Sequence, residues 1–187
     1  MDDNKKKISF IINPISGTQG KELILKWLDE RLDKSRYIPE VIYTERAGHA
    51  VEIAARKAKE EAFAVVAIGG DGTINEIARS LVHTKTALGI IPCGSGNGLA
   101  RHLQIPMEAK KAIDVINEGL IDIIDYGKIN DIPFFCTSGV GFDAFVSLQF
   151  SKAGRRGPLI YLEKTLLESL KYKPETYELE MDGSTLR

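Results

Sequence analysis

Three glycines and one carboxylate separate an apolar run from the polar start of a helical stretch, in the segment "VAIGGDGTIN" (66–75). Glycines leave backbone N–H groups bare. N–H groups at the start of a helix attract anions, because the positive end of the helix dipole lies there. These residue types therefore predict a binding site for phosphate. The aspartate in the middle of the loop needs a separate explanation.

The same succession of apolar run, polar or glycine-rich loop and helical stretch occurs four times along the chain. The apolar runs are residues 8–12, 38–43, 63–68 and 86–91, and the helical stretches are 23–32, 48–60, 74–82 and 99–103. Strands that alternate with helices at this spacing predict βαβ units. The predicted fold is α/β, a doubly wound, mostly parallel sheet that helices cover on both faces.

The loops that follow the four predicted strands all fall at the carboxyl edge of the sheet, where open α/β folds hold their ligands. They begin at Asn13-Pro14, Thr44, Gly69-Gly70 and Pro92-Cys93-Gly94. Three of these loops are rich in Gly, Ser, Thr or Asn. The predicted ligand is a polyphosphate, since such loops let backbone N–H groups approach an anion closely.

Familiar nucleotide-binding motifs do not match these loops. The GxGxxG fingerprint requires a glycine at position 75 or 99, where the sequence has Asn75 and Leu99. The segment from Gly17 to Lys21 looks like a Walker A loop, but its glycines are too close together and Glu22 replaces the Ser or Thr. The chain also contains no HExxH, no CxxC and no His/Cys cluster with zinc spacing.

Four segments together resemble the diacylglycerol kinase catalytic domain. They are "IINPISG" (11–17), Thr44 before "GHA" (48–50), "GGDGTINE" (69–76) and "PCGSGNGLAR" (92–101). GGDGT alone also occurs in NAD kinases, whereas all four segments in this order are far more specific. The resemblance covers residues 6–187 and is strongest to soluble bacterial lipid kinases, which are related to sphingosine and ceramide kinases. It implies a nucleotide-binding α/β domain at 1–127 and the start of a β-sandwich at 128–187.

The resemblance also implies a reaction and a set of site residues. The reaction would transfer the γ-phosphoryl group of ATP to a lipid hydroxyl, of diacylglycerol or a sphingoid lipid, with Mg²⁺ as cofactor. Asp71 would be catalytic and would share the metal network with Asp125. The nucleotide-binding residues would be Asn13, Pro14, Ser16, Gly17, Thr44, Gly69, Gly70, Gly72, Thr73, Glu76, Gly94, Ser95 and Asn97.

Simpler structural roles remain open for the two aspartates. GGDGT could be a strand-to-helix turn in which Asp71 or Thr73 caps the helix. Asp125, which the resemblance places in a strand leaving the first domain, could equally be an exposed strand residue, because alternating strand positions point to solvent.

Two departures from the family pattern keep other functions open. Gly98 follows Asn97, where bacterial members usually have an aspartate of the metal network, and this form resembles the sphingosine and ceramide kinase branch. The general base of the family is expected beyond Arg187. The alternatives are a small-molecule kinase similar to NAD kinase, and a nucleotide-binding module without catalysis.

The second domain has three local signals. "FFCTSGVGFDAFV" (134–146) predicts a strand, a glycine-rich turn and a helix start. The leucines at 159, 162, 166 and 170 recur at helical spacing, which predicts a helix packed on the sandwich. Asp182-Gly183 is a two-residue turn signal between two strands.

The composition limits the expected partners and compartment. The 187 residues carry a formal net charge of −1, so no nucleic-acid partner is expected. Cys93 and Cys136 are the only cysteines, which predicts no disulfide framework, and no apolar run reaches the roughly 18 residues of a membrane span. A cytoplasmic protein is expected. Its lipid substrate implies peripheral contact with a membrane surface, and a homodimer is left open.

Overall fold

The computed structural model describes residues 5–14, 20–152, 172–181 and 184–186. The chain divides into two compact units, residues 1–137 and 138–187. The predicted domain boundary at residue 127 falls inside the first unit. Several predicted features lie outside the described residues, namely Ser16, Gly17, the helix from Leu159 and the turn at Asp182-Gly183.

The described part of the first unit alternates strands and helices and ends in a short hairpin. Its elements are β1 (Lys6–Ile12), α1 (Lys21–Arg31), β2 (Tyr37–Tyr43), α2 (His49–Lys59), β3 (Ala64–Gly69), α3 (Asp71–Leu81), β4 (Ala87–Pro92), α4 (Gly98–His102), α5 (Ala109–Glu118), β5 (Gly127–Ile129) and β6 (Ile132–Phe134). The four predicted strands are therefore confirmed.

Strands β1 to β4 form one parallel sheet in the order β2-β1-β3-β4. From β1 the chain passes to β2 on one side, and then crosses back to β3 on the other. The carboxyl ends of β1 and β3 therefore meet at the switch point where open α/β sheets bind ligands. All six residues of β3 are buried, as expected of a central strand covered on both faces.

Two hydrophobic clusters fill the space between the sheet and the helices on its two faces. Along β1, Phe10 and Ile12 pack with residues of α1 and α5, whereas Ile11 packs with residues of α2, α3 and α4. Each fully buried side chain of this size contributes about 1.5–3 kcal/mol. The sheet is thus a rigid support for the loops at its carboxyl edge.

The described part of the second unit contains a helix and a pair of short strands. They are α6 (Phe142–Lys152), β7 (Leu179–Met181) and β8 (Ser184–Leu186). β7 and β8 pair antiparallel, which confirms the two strands predicted on either side of Asp182-Gly183 and fits the start of a β-sandwich. In the described residues, no helix is long and apolar enough to cross a membrane.

A buried lysine connects α2 to the first two strands. Lys57 is 8% exposed, and its Nζ lies 2.8 Å from Glu40 Oε2 and 2.7 Å from Glu60 Oε2. Ser9 Oγ donates to the same Glu40 oxygen at 3.0 Å. The hydrogen bond from Lys57 lowers the pKa of Glu40, and the hydrogen bonds to the two carboxylates raise the pKa of Lys57.

Replacing Glu40 by glutamine is expected to lower the free energy of unfolding by about 1 kcal/mol at neutral pH, because the pair is partly exposed. The folded-state pKa of Glu40 lies below its ordinary 4.5, so its stabilisation is complete above the unfolded pKa and is lost as pH falls through the folded pKa. Urea unfolding of both proteins from neutral to acidic pH should give converging stabilities. A difference that stays constant in acid would contradict this account.

Candidate functional site

The first turn of α3 has three backbone amides without a helical acceptor. The first helical bond runs from Ile74 N to Gly70 O at 3.1 Å, so the N–H groups of Asp71, Gly72 and Thr73 precede it. The helix thus begins three residues before the predicted start at Ile74. Its N-cap is Gly70, with no side-chain hydrogen bond, so the interpretation of Asp71 or Thr73 as the cap of this helix is wrong.

Asp71 instead binds the start of a different helix. Its Oδ2 accepts the backbone N–H of Asn97 at 2.8 Å, and its Oδ1 accepts that of Gly98 at 2.7 Å. Asn97 is the N-cap of α4 and Gly98 is its first residue. A carboxylate is favourable at the positive end of a helix, and hydrogen bonds to a charged acceptor are about twice as strong as neutral ones. Asp71 therefore ties the loop after β4 to α3.

The loop after β4 is closed by the side chain of Asn97. Its Oδ1 accepts the N–H of Gly94 and its Nδ2 donates to the carbonyl of Gly94, both at 2.8 Å. Asn97 is buried and adopts the left-handed conformation with φ 55°. Asparagine tolerates this conformation better than most residues. The Asn97 amide also donates to Met107 Sδ at 3.8 Å, outside the loop.

Several glycines of the two loops are required by contacts inside the protein. A Cβ on Gly94 would lie 2.7 Å from Gly70 Cα, so the two backbones touch where the loops cross. A Cβ on Gly98 would lie 2.9 Å from Cys136 Sγ and 3.7 Å from Asp71 Oδ1. A larger residue at position 94 would push the loops apart, whereas one at position 98 would displace the Cys136 thiol.

Gly72 differs from these glycines. A Cβ added to it would meet no atom within 4 Å, and the residue is exposed in the first turn of α3. No packing contact therefore explains a glycine here. The space above its backbone suits a group that approaches the open amides, which is the arrangement that an anion at a helix N-terminus uses.

The remaining two loops also contact α3. Asn13 Nδ2 donates to Thr73 Oγ1 at 3.4 Å, and Gly48 N donates to Glu76 Oε1 at 3.5 Å, both long hydrogen bonds. Thr44, at the end of β2, donates its N–H to Ile12 O at 2.8 Å. The first two turns of α3 thus contact all three neighbouring loops.

The structure gathers most of the predicted residues at one edge of the sheet, and only some of them have free polar groups. Thr44, Thr73 and Asn97 are buried, whereas Pro14 and Ser95 are exposed. Among the described residues, the Ser95 hydroxyl has no hydrogen-bond partner, so it can bind a ligand. Gly69 ends β3, and its carbonyl accepts the N–H of Cys93 at 2.8 Å.

Asp125 is not in a strand. Residues 120–126 have no strand pairing, and β5 begins only at Gly127. Leu120 and Ile123 in this stretch are 81% and 100% exposed, whereas Tyr126 at its end is hydrogen-bonded to His83 at 3.0 Å. Asp125 is exposed and makes no hydrogen bond or ion pair with the described part of the chain. Its role in a metal network stays a prediction.

The sequence patterns missed Lys21, the first residue of α1. Lys21 interacts with Cys93, the residue before Gly94. Burial raises the pKa of the Cys93 thiol, and the charge and hydrogen bond of Lys21 oppose this rise. The only sequence signal was the lysine at the end of the segment that fails as a Walker A loop.

A parallel α/β sheet with glycine-rich loops and an open helix N-terminus at its switch point defines a class of phosphate-binding domains. Comparison with known proteins identifies the family within this class. The family model "Diacylglycerol kinase catalytic domain" matches residues 7–129. The chain belongs to the diacylglycerol kinase catalytic domain family.

Individual relatives agree with this assignment. A diacylglycerol kinase of Staphylococcus saprophyticus is 37% identical over 135 residues, which cover 70% of this chain and 43% of that protein. A diacylglycerol kinase of Staphylococcus aureus (strain JH9) is 32% identical over 190 residues, which cover 98% of this chain and 59% of that protein. This chain therefore spans about half the length of the curated relatives it matches.

The fold also has counterparts among solved structures. The crystal structure of a diacylglycerol kinase from Bacillus anthracis str. Sterne matches with a TM-score of 0.61 and 24% sequence identity. The match covers 70% of this chain and 48% of that chain. At this identity the likeness shows the fold, which confirms the predicted doubly wound α/β sheet.

Asp71→Asn is expected to destabilise the protein by about 1–3 kcal/mol in the absence of any nucleotide. Asparagine has one acceptor oxygen, so its NH2 group would face one of the two N–H donors and could not accept its hydrogen. Denaturant unfolding measures the loss, and Asp122→Asn is the control, because Asp122 is exposed and has no polar partner among the described residues. Equal stability of the two variants would contradict the proposed link between the helices.

The loop glycines are expected to respond differently to alanine. Gly94→Ala should cost about 1–3 kcal/mol, because its Cβ would overlap the backbone of Gly70. Gly72→Ala should cost nothing and should gain up to about 1 kcal/mol, since alanine favours helix and has room there. Thermal unfolding of both variants separates the two classes, and a destabilised Gly72→Ala would refute the distinction.

Proposed function

We propose that this chain carries the nucleotide site of an ATP-dependent lipid kinase, which transfers the γ-phosphoryl group to a lipid hydroxyl. The observation that supports this most directly is the open first turn of α3 beside Gly72, at the switch point of the sheet. Phosphoryl transfer requires mainly positioning and neutralisation of charge, which backbone amides supply without chemistry of their own. The amides of Gly72 and Thr73 and the hydroxyl of Ser95 would hold phosphate oxygens.

The described residues include no group of three or more His, Cys, Asp or Glu side chains that could hold a metal ion. A magnesium ion at this site would therefore be bound mainly through the phosphates of the nucleotide. Mg²⁺ commonly keeps several waters and uses one or two carboxylates together with substrate phosphates. Asp71 would act on such an ion through water, as the resemblance to the family implies. The ion would neutralise the charge of the transferred phosphoryl group.

The acceptor class is proposed from two features. The relatives described above are diacylglycerol kinases, which supports diacylglycerol. The glycine at position 98 resembles the sphingosine and ceramide kinase branch, which supports a sphingoid or other long-chain alcohol. Either acceptor resides in a membrane, so the protein would make peripheral contact with a membrane surface.

A nucleotide-binding module without catalysis is the second candidate. The Cys136 thiol packs against Gly98, at the position where bacterial members usually have the second network aspartate. The carboxylate of Asp71, in the first turn of α3, already binds the start of α4. A small-molecule kinase similar to NAD kinase remains the alternative in the enzyme class.

Calorimetric titration with Mg-ATP, Mg-GTP and NAD, followed by phosphoryl transfer from labelled ATP to diacylglycerol or sphingosine micelles, tests this proposal. Mg-ATP should bind, and Gly72→Ala should weaken binding about tenfold, the equivalent of one or two lost amide–phosphate hydrogen bonds. Binding without transfer to either lipid would favour the non-catalytic module, and phosphorylation of NAD would favour the NAD kinase alternative. Absence of nucleotide binding would refute the proposal.

A further inference from the structure

We propose that Lys21 binds the phosphates of the nucleotide and supplies positive charge at this site. The inference rests on the proposed function, and it assigns a role to a residue outside the glycine-rich motifs. It starts from the position of α1, which follows β1 and therefore begins at the carboxyl edge of the sheet, where α3 also begins.

The helical spacing places Lys21 on the inward face of α1. Lys21, Ile24 and Leu28 are related by steps of three and four, so they share one face. Ile24 and Leu28 are 0% and 4% exposed and pack against the sheet in the same cluster as Cys93. Lys26, on the other side of the helix, has a side chain that is 68% exposed. Lys21 therefore extends the buried face of α1 beyond the end of the sheet.

The contact with Cys93 locates the ammonium group more closely. Cys93 is 4% exposed, its N–H donates to Gly69 O at 2.8 Å, and the next residue, Gly94, touches Gly70. Lys21 thus lies beside the ends of β3 and β4, next to the loops that would surround the phosphates. A neutral thiol accepts a hydrogen bond from an ammonium group without cancelling its charge.

Helix stability does not account for a lysine at this position. A cation at the N-terminus of a helix opposes the helix dipole, so the charge of Lys21 does not stabilise α1. A polyphosphate, together with the carboxylate of Asp71, needs positive charge close by. Lysine binds phosphate as a point charge, and the lysine of a P-loop does so from a different backbone arrangement. Lys21 would perform this role although its loop fails the Walker A pattern.

Titration of the full chain with Mg-ATP at low and high salt tests the assignment. Lys21→Gln should raise the dissociation constant about tenfold at low salt, the loss expected for a hydrogen bond to a charged group. Lys21→Arg should restore most of the affinity. The control Lys26→Gln should bind like the unmodified chain, because Lys26 is exposed and pairs with Glu30 at 3.8 Å. The difference between Lys21→Gln and the unmodified chain should shrink at high salt, since salt screens the charge.

This titration distinguishes a failure of the Lys21 assignment from a failure of the proposed function. If the unmodified chain binds Mg-ATP and Lys21→Gln binds equally well, the role of Lys21 is refuted while the proposed function stands. A loss of affinity that salt does not change, together with a lower melting temperature, would show that Lys21 acts through the packing of α1. If the unmodified chain does not bind Mg-ATP, the proposed function fails, and the role of Lys21 fails with it.

Discussion

The two hydrogen bonds from the start of α4 to the Asp71 carboxylate determine the geometry of the candidate site. They join residues that are 26 and 27 positions apart in the chain and belong to neighbouring strand–loop–helix units. One negative charge thereby lies at the positive ends of both α3 and α4, which is favourable for each helix. The link also holds the two glycine-rich loops at the point where the backbones of Gly70 and Gly94 are in contact. Together with the hydrogen bond from Cys93 N to Gly69 O, it fixes the loop after β4 relative to the open amides of α3.

The glycines of these loops serve two different purposes, which the sequence alone does not distinguish. Gly94 is required by the protein, because a side chain would collide with the backbone of Gly70 and with Asn97, whereas a side chain at position 98 would displace the Cys136 thiol. Gly72 is free of such constraints and lies where a ligand would approach. The Cys136 thiol lies beside Gly98 and fills the space next to it.

The sheet was predictable because each strand is a short, β-branched apolar run between polar loops, and periodicity identifies such runs well. The start of α3 was not predictable in this way. Its N-cap is Gly70, whereas the usual N-cap signal in a sequence is Ser, Thr, Asp or Asn. The partner of Asp71 is set by tertiary contacts that no local pattern encodes. Helix α5 was missed although its buried residues Ala109, Ala112 and Ile113 recur at helical spacing. Lys21 belongs to no phosphate-binding motif, so only its position on the buried face of α1 indicates a role.

The most direct test of the link is amide hydrogen exchange without nucleotide. The amides of Asn97 and Gly98 should be protected, because each donates to the Asp71 carboxylate, whereas the amide of the exposed Gly72 should exchange rapidly and become protected only when Mg-ATP is added. If this protection is lost in Asp71→Asn, the protection depends on the Asp71 carboxylate. Rapid exchange at Asn97 and Gly98 in the unmodified protein, at the rate of Gly72, would contradict the central claim.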